Sequence, residues 1–365
     1  MPFKRARRDE CRMTFEAPES VYPLADGRNL RVRVLEPPLG AYAERLEYWW
    51  RDVREPLLAG KLAETSFDRF VIGEVDGVYA GSMDYCTHRE SREVALLEMV
   101  WTHPDYRRMG IAQSLLRHTL ADFRAVGGKA MYLCTTNPAA FALYDSEGFR
   151  PLIGDGMRYL APPLDSETFT KNYFADAGPA QIRRGEWGDI ARVSALYNQP
   201  QPDWLIKDYP RCVFRDMRYE SHYIRVWKPA SEGQGVALVL ENSRHRIVGI
   251  ASAIEIDSFY EQHISVVDFW GCPAYLGQLP ELLAELVQEA EKRGTELLQA
   301  LIAECDQEKR QLLESAGFSE TARLRERLRD GNQRFDLINY ERQLSPREQP
   351  GHSLASYYGA RPAFQ

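Results

Sequence analysis

Short apolar runs separated by polar turns fill almost the whole chain, and their periods alternate between strand and helix. Leu30 to Leu35 alternates and predicts a strand, and Tyr42 to Leu58 predicts one or two helices with Pro56 near their end. Phe70 to Val75 and Val78 to Tyr85 flank Asp76-Gly77, a two-residue hairpin signal. Val94 to Thr102 is mostly apolar and predicts a central strand. Leu115, Leu116, Leu120 and Phe123 stand at helical spacing within Ile111 to Val126, and Gly127-Gly128 ends that helix. Ala130 to Thr135 predicts a strand and Pro138 to Ser146 a short helix. Gly148-Phe149 then leads into a hairpin through Gly154 to Gly156.

The pattern then repeats. Trp101, Pro104, Tyr106, Ser146, Gly148 and Phe149 match Trp270, Pro273, Tyr275, Ser315, Gly317 and Phe318, each pair at the same spacing of 169 positions (Trp101 to Trp270). A tandem duplication explains one register held over such a stretch. The second copy predicts a hairpin from Ala237 to Glu241 and Ile247 to Ile256, and a strand from Ser265 to Phe269. It adds a long helix from Pro280 to Lys292 ended by Gly294, a short helix from Gln307 to Ser315, and a turn at Asp330-Gly331-Asn332. The layout reads as an N-terminal arm (1–20), a first unit (21–160), a linker (161–180), a second unit (181–345) and a tail (346–365). Meander hairpins on both sides of the long helix give an α/β chain with a mixed sheet (α+β in its segregation), not a doubly wound one.

Composition narrows the setting. The chain has 365 residues, 44% hydrophobic and 27% charged, which suits two soluble globular units. No apolar run approaches a membrane span, so no membrane partner is expected. Lys4, Arg5, Arg7 and Arg8 precede no apolar stretch, so no secretory signal is expected. The net charge of −7 argues against a nucleic-acid partner, and the basic run reads as a solvated tail. Six scattered cysteines (Cys11, Cys86, Cys134, Cys212, Cys272, Cys305) have no metal-site spacing, so no metal and a reducing, cytoplasmic setting are expected.

The candidate chemistry lies in Thr102 to Ala112, THPDYRRMGIA. A helix start offers unpaired N–H groups and the positive end of the dipole to an anion. Gly110 and Ala112 let the backbone approach closely, and Arg107 and Arg108 add charge, a combination suited to pyrophosphate. The order strand, R-x-x-G-x-A, helix resembles the acyl-CoA motif of the GNAT superfamily of N-acetyltransferases. The hairpins, the long helix and Gly148-Phe149 at the family's distance fit the same resemblance, so the chain resembles two GNAT-like domains in tandem. The resemblance implies acetyl-CoA as cosubstrate, held by Val100, Trp101, Thr102, Arg107, Arg108, Met109, Gly110, Ile111, Ala112 and Asn137.

Glu98 sits among Leu96, Leu97, Met99 and Val100. A carboxylate there is either an exposed strand residue or a partly desolvated base. The resemblance implies a base for the acceptor amine, and an ammonium anchor or a structural carboxylate stands beside that reading. By a period of two, Glu98 shares a face with Val100 and Thr102. Tyr144, in the stretch Asn137 to Phe149, is either a core tyrosine or, by resemblance, the acid that protonates the leaving thiolate. Asn137 also reads as a helix cap. Asp84, Tyr85 and His88 precede a polar loop where an acceptor could bind. Tyr48, Trp49 and Trp50 lie where the family shapes acceptor pockets, though a tryptophan pair on a helix is commonly core. His103 has no partner legible in sequence, and His118 reads as a helix-surface residue.

The second copy lacks this set. Residues Arg107 to Ala112 become Leu276-Gly277-Gln278-Leu279-Pro280-Glu281, Glu98 becomes Val267 and Tyr144 becomes Leu313. Asp268 is one residue from the base position. The expected function is acetyl transfer by the first unit to a primary amine of a small molecule, by direct attack in a ternary complex, in a monomer or homodimer. The alternatives are another acyl or aminoacyl donor in a biosynthetic enzyme, and a CoA-binding sensor without turnover.

Overall fold

The computed structural model of the chain describes residues 19–46, 50–152, 154–198, 219–256, 258 and 260–344. The basic run, Cys11, Tyr48, Trp49, Cys212 and the tail after residue 345 lie outside these. The first unit opens with β1 (Ser20–Pro23), β2 (Asn29–Leu35) and α1 (Arg51–Leu58). β3 (Ser66–Val75), β4 (Val78–His88) and β5 (Val94–Thr102) follow, then α2 (Ile111–Ala125), β6 (Ala130–Cys134), α3 (Pro138–Ser146), β7 (Phe149–Pro151) and β8 (Gly156–Leu160). Asp76 and Gly77 both take positive φ, 51° and 77°, which makes the β3–β4 turn the tight hairpin that the Asp-Gly pair favours. These strands form one mixed sheet in the order β1-β2-β3-β4-β5-β6-β8-β7, in which β5 and β6 run parallel.

Between the units, the sequence suggests a plain linker, but the structure holds a helix, α4 (Ser166–Tyr173). Asp165 caps it by accepting from the Thr168 N–H at 2.9 Å, and Phe169 and Tyr173, one turn apart, are buried. The second unit comprises β9 (Gln181–Arg184), α5 (Ile190–Tyr197), α6 (Tyr219–Ser231), β10 (Gly235–Glu241), β11 (Ile247–Glu255) and β12 (Ile264–Gly271). It ends with α7 (Leu279–Arg293), β13 (Leu297–Ala303), α8 (Gln307–Ser315), β14 (Ser319–Asp330) and β15 (Gln333–Gln343). Its separate sheet runs β14-β15-β13-β12-β11-β10-β9, with β12 and β13 parallel. The two sheets therefore follow the same strand plan, and α3 and α8 keep the spacing read from the sequence.

The two faces of the first sheet are covered differently. On one, Leu115, Leu116, Leu120 and Phe123 of α2 join a core with Val71, Tyr85, Leu97 and Met131. The other face lies under the second unit. Helix α5 touches β4, β5 and β6 on one side and β11 on the other, and every residue from Ile190 to Leu196 is buried. Trp187, 2% exposed, meets Trp50 edge-on at 6.2 Å and Trp227 at 5.1 Å. Gly188 approaches so closely that a Cβ would lie 2.1 Å from the Thr65 carbonyl oxygen. One apolar core thus runs through both units.

Polar contacts fix the junction. Arg246, on the turn between β10 and β11, donates to Glu93 of the first unit at 2.9 Å and to the carbonyls of Asn172 and Tyr173 at 2.7 and 2.8 Å. Under the covering unit, Asp68 on β3 and Asp84 on β4 are buried carboxylates. Burial pushes Asp68 up to about 7 against the lowering pull of Ser66 and Arg89.

Two stability predictions follow from this junction. Arg246→Ala leaves Glu93 with Lys129 as its remaining cation and strands the Asn172 and Tyr173 carbonyls, and should cost roughly 2 kcal/mol in urea denaturation. The Asp68 carboxyl stays protonated in the fold from about pH 4 to about 7 while the unfolded chain has ionised, so stability falls as pH rises across that window. Asp68→Asn should remove this loss. It should leave the unfolding midpoint unchanged near pH 4 and stabilise the chain by roughly 2–4 kcal/mol at pH 8.

Candidate active site

The centre of the site is a defect in β5. Glu98 pairs with Asp84 and Trp101 with Ser82, so Met99 and Val100 together face the single residue Met83. Met99 takes φ 51°, the left-handed conformation, and the ladder bulges there. The bulge overturns the face assignment expected from a period of two. Trp101, not Val100, shares the face of Glu98. Val100 packs with the α2 core, and Thr102 pairs with Gly81, whose missing Cβ would touch Ile111 and Leu115 of that helix.

Beside the bulge, the parallel pair splays. The β5–β6 ladder runs only from Val94↔Ala130 to Leu96↔Tyr132, so the later backbone of β5 turns an edge toward a gap that β6 does not fill. The strand ends at a short turn, Pro104–Tyr106, in which the Asp105 N–H donates to His103 Nδ1 at 3.3 Å. Arg108 at φ 64° and Gly110 at φ 81° then bend the chain into α2. Successive N–H groups in such a bend make an anion-binding concavity. No side chain caps this helix, its first turn has no acid, and a Cβ on Gly110 would meet nothing within 4 Å. Arg107 and Arg108 are exposed, and Arg107 Nε lies 3.3 Å from the Thr102 carbonyl. Met109 and Ala112 are half-buried and Ile111 is buried.

Across the gap, Asn137 caps α3, accepting from the N–H groups of Ala139 and Ala140 at 3.0 and 3.4 Å. Tyr144 on α3 is 5% exposed, with its ring 5.6 Å from that of Phe149. Burial first, and the nearby Glu98 charge second, raise its phenol above the ordinary tyrosine value. Tyr144 is therefore a neutral hydroxyl that senses Glu98. Glu98 itself is half-buried, with its Oε1 enclosed.

The face of Glu98 carries groups that the sequence pattern did not single out together. Asp84 stands directly opposite and is 3% exposed, and among the described residues its Oδ1 meets no donor. Burial, then the charge of Asp68, pushes its carboxyl well above the ordinary range. Tyr79 stacks on Trp101 at 5.1 Å and its hydroxyl lies 2.5 Å from Ser82 Oγ. The signal for Asp68 and Asp84 was present as acids inside otherwise apolar strands. The Tyr79–Trp101 pair had no such signal.

Other candidates move away from the site. Tyr85 faces α2, where its hydroxyl donates to Asp122 at 2.6 Å. His118 is half-buried against Tyr22, 2.7 Å from its hydroxyl, because the β1–β2 edge folds over α2. His88 lies at the far end of β4, against the second unit. Trp50 belongs to the shared core. Among the described residues, no group of three or more His, Cys, Asp or Glu could hold a metal.

The second unit keeps the splay, its β12–β13 ladder running only from Ile264↔Leu297 to Val266↔Gln299, and α7 also lacks a side-chain cap, but it has no bulge. Its β11–β12 ladder runs without a shift from Glu255↔Ser265 to Gly249↔Gly271. Lys309, 1% exposed, places its Nζ 2.5 Å from Asp268 Oδ1, so the acid next to the base position is ion-paired. The turn before α7 carries Glu281 in the first helical turn. Its Gln278 and Tyr275 bind the linker backbone instead, at Ala180 and Ala177, each at 2.9 Å.

Residues 28–149 match the sequence profile of the acetyltransferase (GNAT) family. No curated protein matches the chain. Similar solved structures include a ribosomal-protein-alanine N-acetyltransferase from Brucella melitensis, 22% identical, covering 45% of this chain and 99% of its own at a TM-score of 0.39. An N-acetyltransferase from Staphylococcus aureus Mu50 is 19% identical, with 46% and 100% covered and a TM-score of 0.39. A phosphinothricin acetyltransferase from Sinorhizobium meliloti, in complex with AcCoA, is 16% identical, with 47% and 95% covered and a TM-score of 0.40. Among the described residues no helix is long and apolar enough to cross a membrane. The match to the acetyltransferase (GNAT) family thus falls on the first unit, the one that carries the bulge.

Proposed function

We propose that the first unit transfers an acetyl group from acetyl-CoA to a primary amine of a small molecule, within a ternary complex. The observation that carries this reading is the meeting of a bulge, a splayed strand pair and an acid-free helix start beside Arg107 and Arg108 in one unit, where the other has no bulge and carries Glu281 in the first turn of its helix. The residues fit the cosubstrate. Arg107, Arg108 and the N–H groups from Met109 to Ala112 would hold its pyrophosphate, and the free edge of β5 from Val100 to Thr102, with Asn137, would line its pantetheine arm. Bound there, acetyl-CoA supplies an activated acyl group.

Glu98 takes a proton from the acceptor ammonium, directly or through water, since the protonated amine has no lone pair with which to attack. N–H groups of the bulged strand face the charge that develops on the acyl oxygen. Tyr144, kept neutral by burial, gives its proton to the departing sulfur. The cradle fixes the acyl carbon against Glu98, so orientation carries much of the rate. The second unit contributes cover rather than chemistry, because its equivalent turn is committed to the linker. The free thiols of Cys86, Cys134, Cys272 and Cys305 fit a cytoplasmic setting.

Release of free CoA thiol with a panel of amines tests the reading, and failure of every amine to raise it above background hydrolysis would reject it. Glu98→Gln should lower kcat about 10²–10⁴-fold and flatten the acidic limb of the pH–rate profile, with acetyl-CoA affinity unchanged by calorimetry. Tyr144→Phe should lower kcat about 10-fold or more without shifting that limb. Gly110→Glu should abolish acetyl-CoA binding, since it adds a charge beside the phosphates and a side chain where φ is 81°.

A further inference from the structure

The joint between the units encloses a cavity of about 560 Å³, within the range of small-ligand sites. It opens at the end of β4 remote from the bulge. His88, on its wall, is four residues along the strand from Asp84, about 13 Å away. The first unit supplies Glu64, Thr65, His88 and Glu90, and the second supplies Arg183, Glu186, Glu241 and His245 among others.

The charge on this wall is unbalanced. Arg183 is its guanidinium, and it is already engaged by Asp189 at 2.8 Å, by Glu241 and by Glu186 at 3.4 Å. Arg192, behind it, is fully buried and bound to Asp189, with Glu241 at 3.5 Å. Two guanidiniums thus face five carboxylates, because Glu64 and Glu90 add to Asp189, Glu186 and Glu241. The nearby Arg89 turns away, donating to the Ala63 carbonyl and lying over the Phe67 ring. His245 lies between the units, with its Nδ1 2.8 Å from Glu241 and 3.9 Å from Glu90. Burial holds Glu186 above the ordinary carboxylate range despite Arg183, as expected where negative charge is under-compensated.

A second observation is independent of the acids. His88 is 5% exposed, and its Nδ1 accepts from the Glu90 N–H at 3.2 Å. That bond leaves the proton on Nε2, which meets no acceptor among the described residues. Burial, then the charge of Arg192, lowers His88 to about 4, so the ring is a neutral donor at physiological pH. A largely buried ring that lines a polar cavity, with a donor that no described protein group accepts, offers that donor to a ligand in the cavity.

We infer that this cavity is a second ligand site, separate from the acetyl-transfer site, for a small organic ammonium that also carries a hydrogen-bonding oxygen. Its ammonium meets Glu64 and Glu90 from one unit and Glu186 from the other, and its oxygen accepts from His88 Nε2. Because both units build the site, occupancy ties them together and stabilises the chain.

Ethanolamine, which has both groups, is the probe, added to the full chain without acetyl-CoA so that the outcome is independent of transfer chemistry. It should give saturable heat in calorimetry and raise the unfolding midpoint by about 2 °C or more at saturation, against sodium chloride of equal ionic strength. Glu64→Gln combined with Glu90→Gln removes two exposed charges and should weaken binding about tenfold or more while leaving the ligand-free midpoint unchanged. Glu98→Gln should leave binding intact, which separates this cavity from the acceptor position. The inference is overturned by absence of saturable heat, by equal affinity in the double variant, by loss of binding in Glu98→Gln, or by inorganic phosphate binding in place of the amine.

Discussion

Burial of α5 between two sheets is the constraint on which the rest of this structure depends. A helix with no solvent face stabilises only if both neighbours stay in place, so the sheets cannot separate without exposing Ile190 to Leu196 to water. The helix also carries Arg192, which is fully buried. An isolated guanidinium there would be prohibitive, and Asp189, Glu241 and the His245 carbonyl compensate it. Asp189 in turn is shared with Arg183. Apolar and ionic requirements therefore select the same arrangement of the two units.

That arrangement sets the conditions for the first unit's chemistry. The face of β3, β4 and β5 that carries Asp68, Asp84 and Glu98 would be solvated in an isolated sheet. Under α5 and the turn at Trp187 it becomes a dry face, and Asp68 and Asp84 on it are driven toward protonation. The opposite face, under α2, is an ordinary apolar interior apart from Tyr85, Asp122 and Arg69, whose polar groups satisfy one another. One unit thus keeps an apolar interior on one side of its sheet and its buried acids on the other.

The two units are a comparison within one chain. Both keep the parallel pair and the short helix ending at a positive-φ glycine, Gly148 or Gly317. Only the first adds a bulge, a left-handed residue two positions before its helix-start glycine, and a first helical turn without an acid. In the second, Lys309 and Asp268 neutralise each other near the equivalent position, and the helix start grips the linker.

Hydrophobic period and turn chemistry were enough to place the elements. Asp76-Gly77, Gly127 and Gly294 mark their turns because few residues tolerate those backbone angles, and the common spacing from Trp101 to Phe149 exposed the repeat. The loss of arginines and glycine from the second copy was equally legible, since charge and φ are properties of residue type. The facing of Val100 and Thr102 was not. A bulge adds one residue to one strand and reverses the alternation beyond it, and only pairing with β4 reveals that. Nor could sequence join Asp84 to Glu98, His118 to Tyr22, or His88 to the second unit. Those meetings depend on which surfaces pack, and packing is decided by burial across residues far apart in the chain.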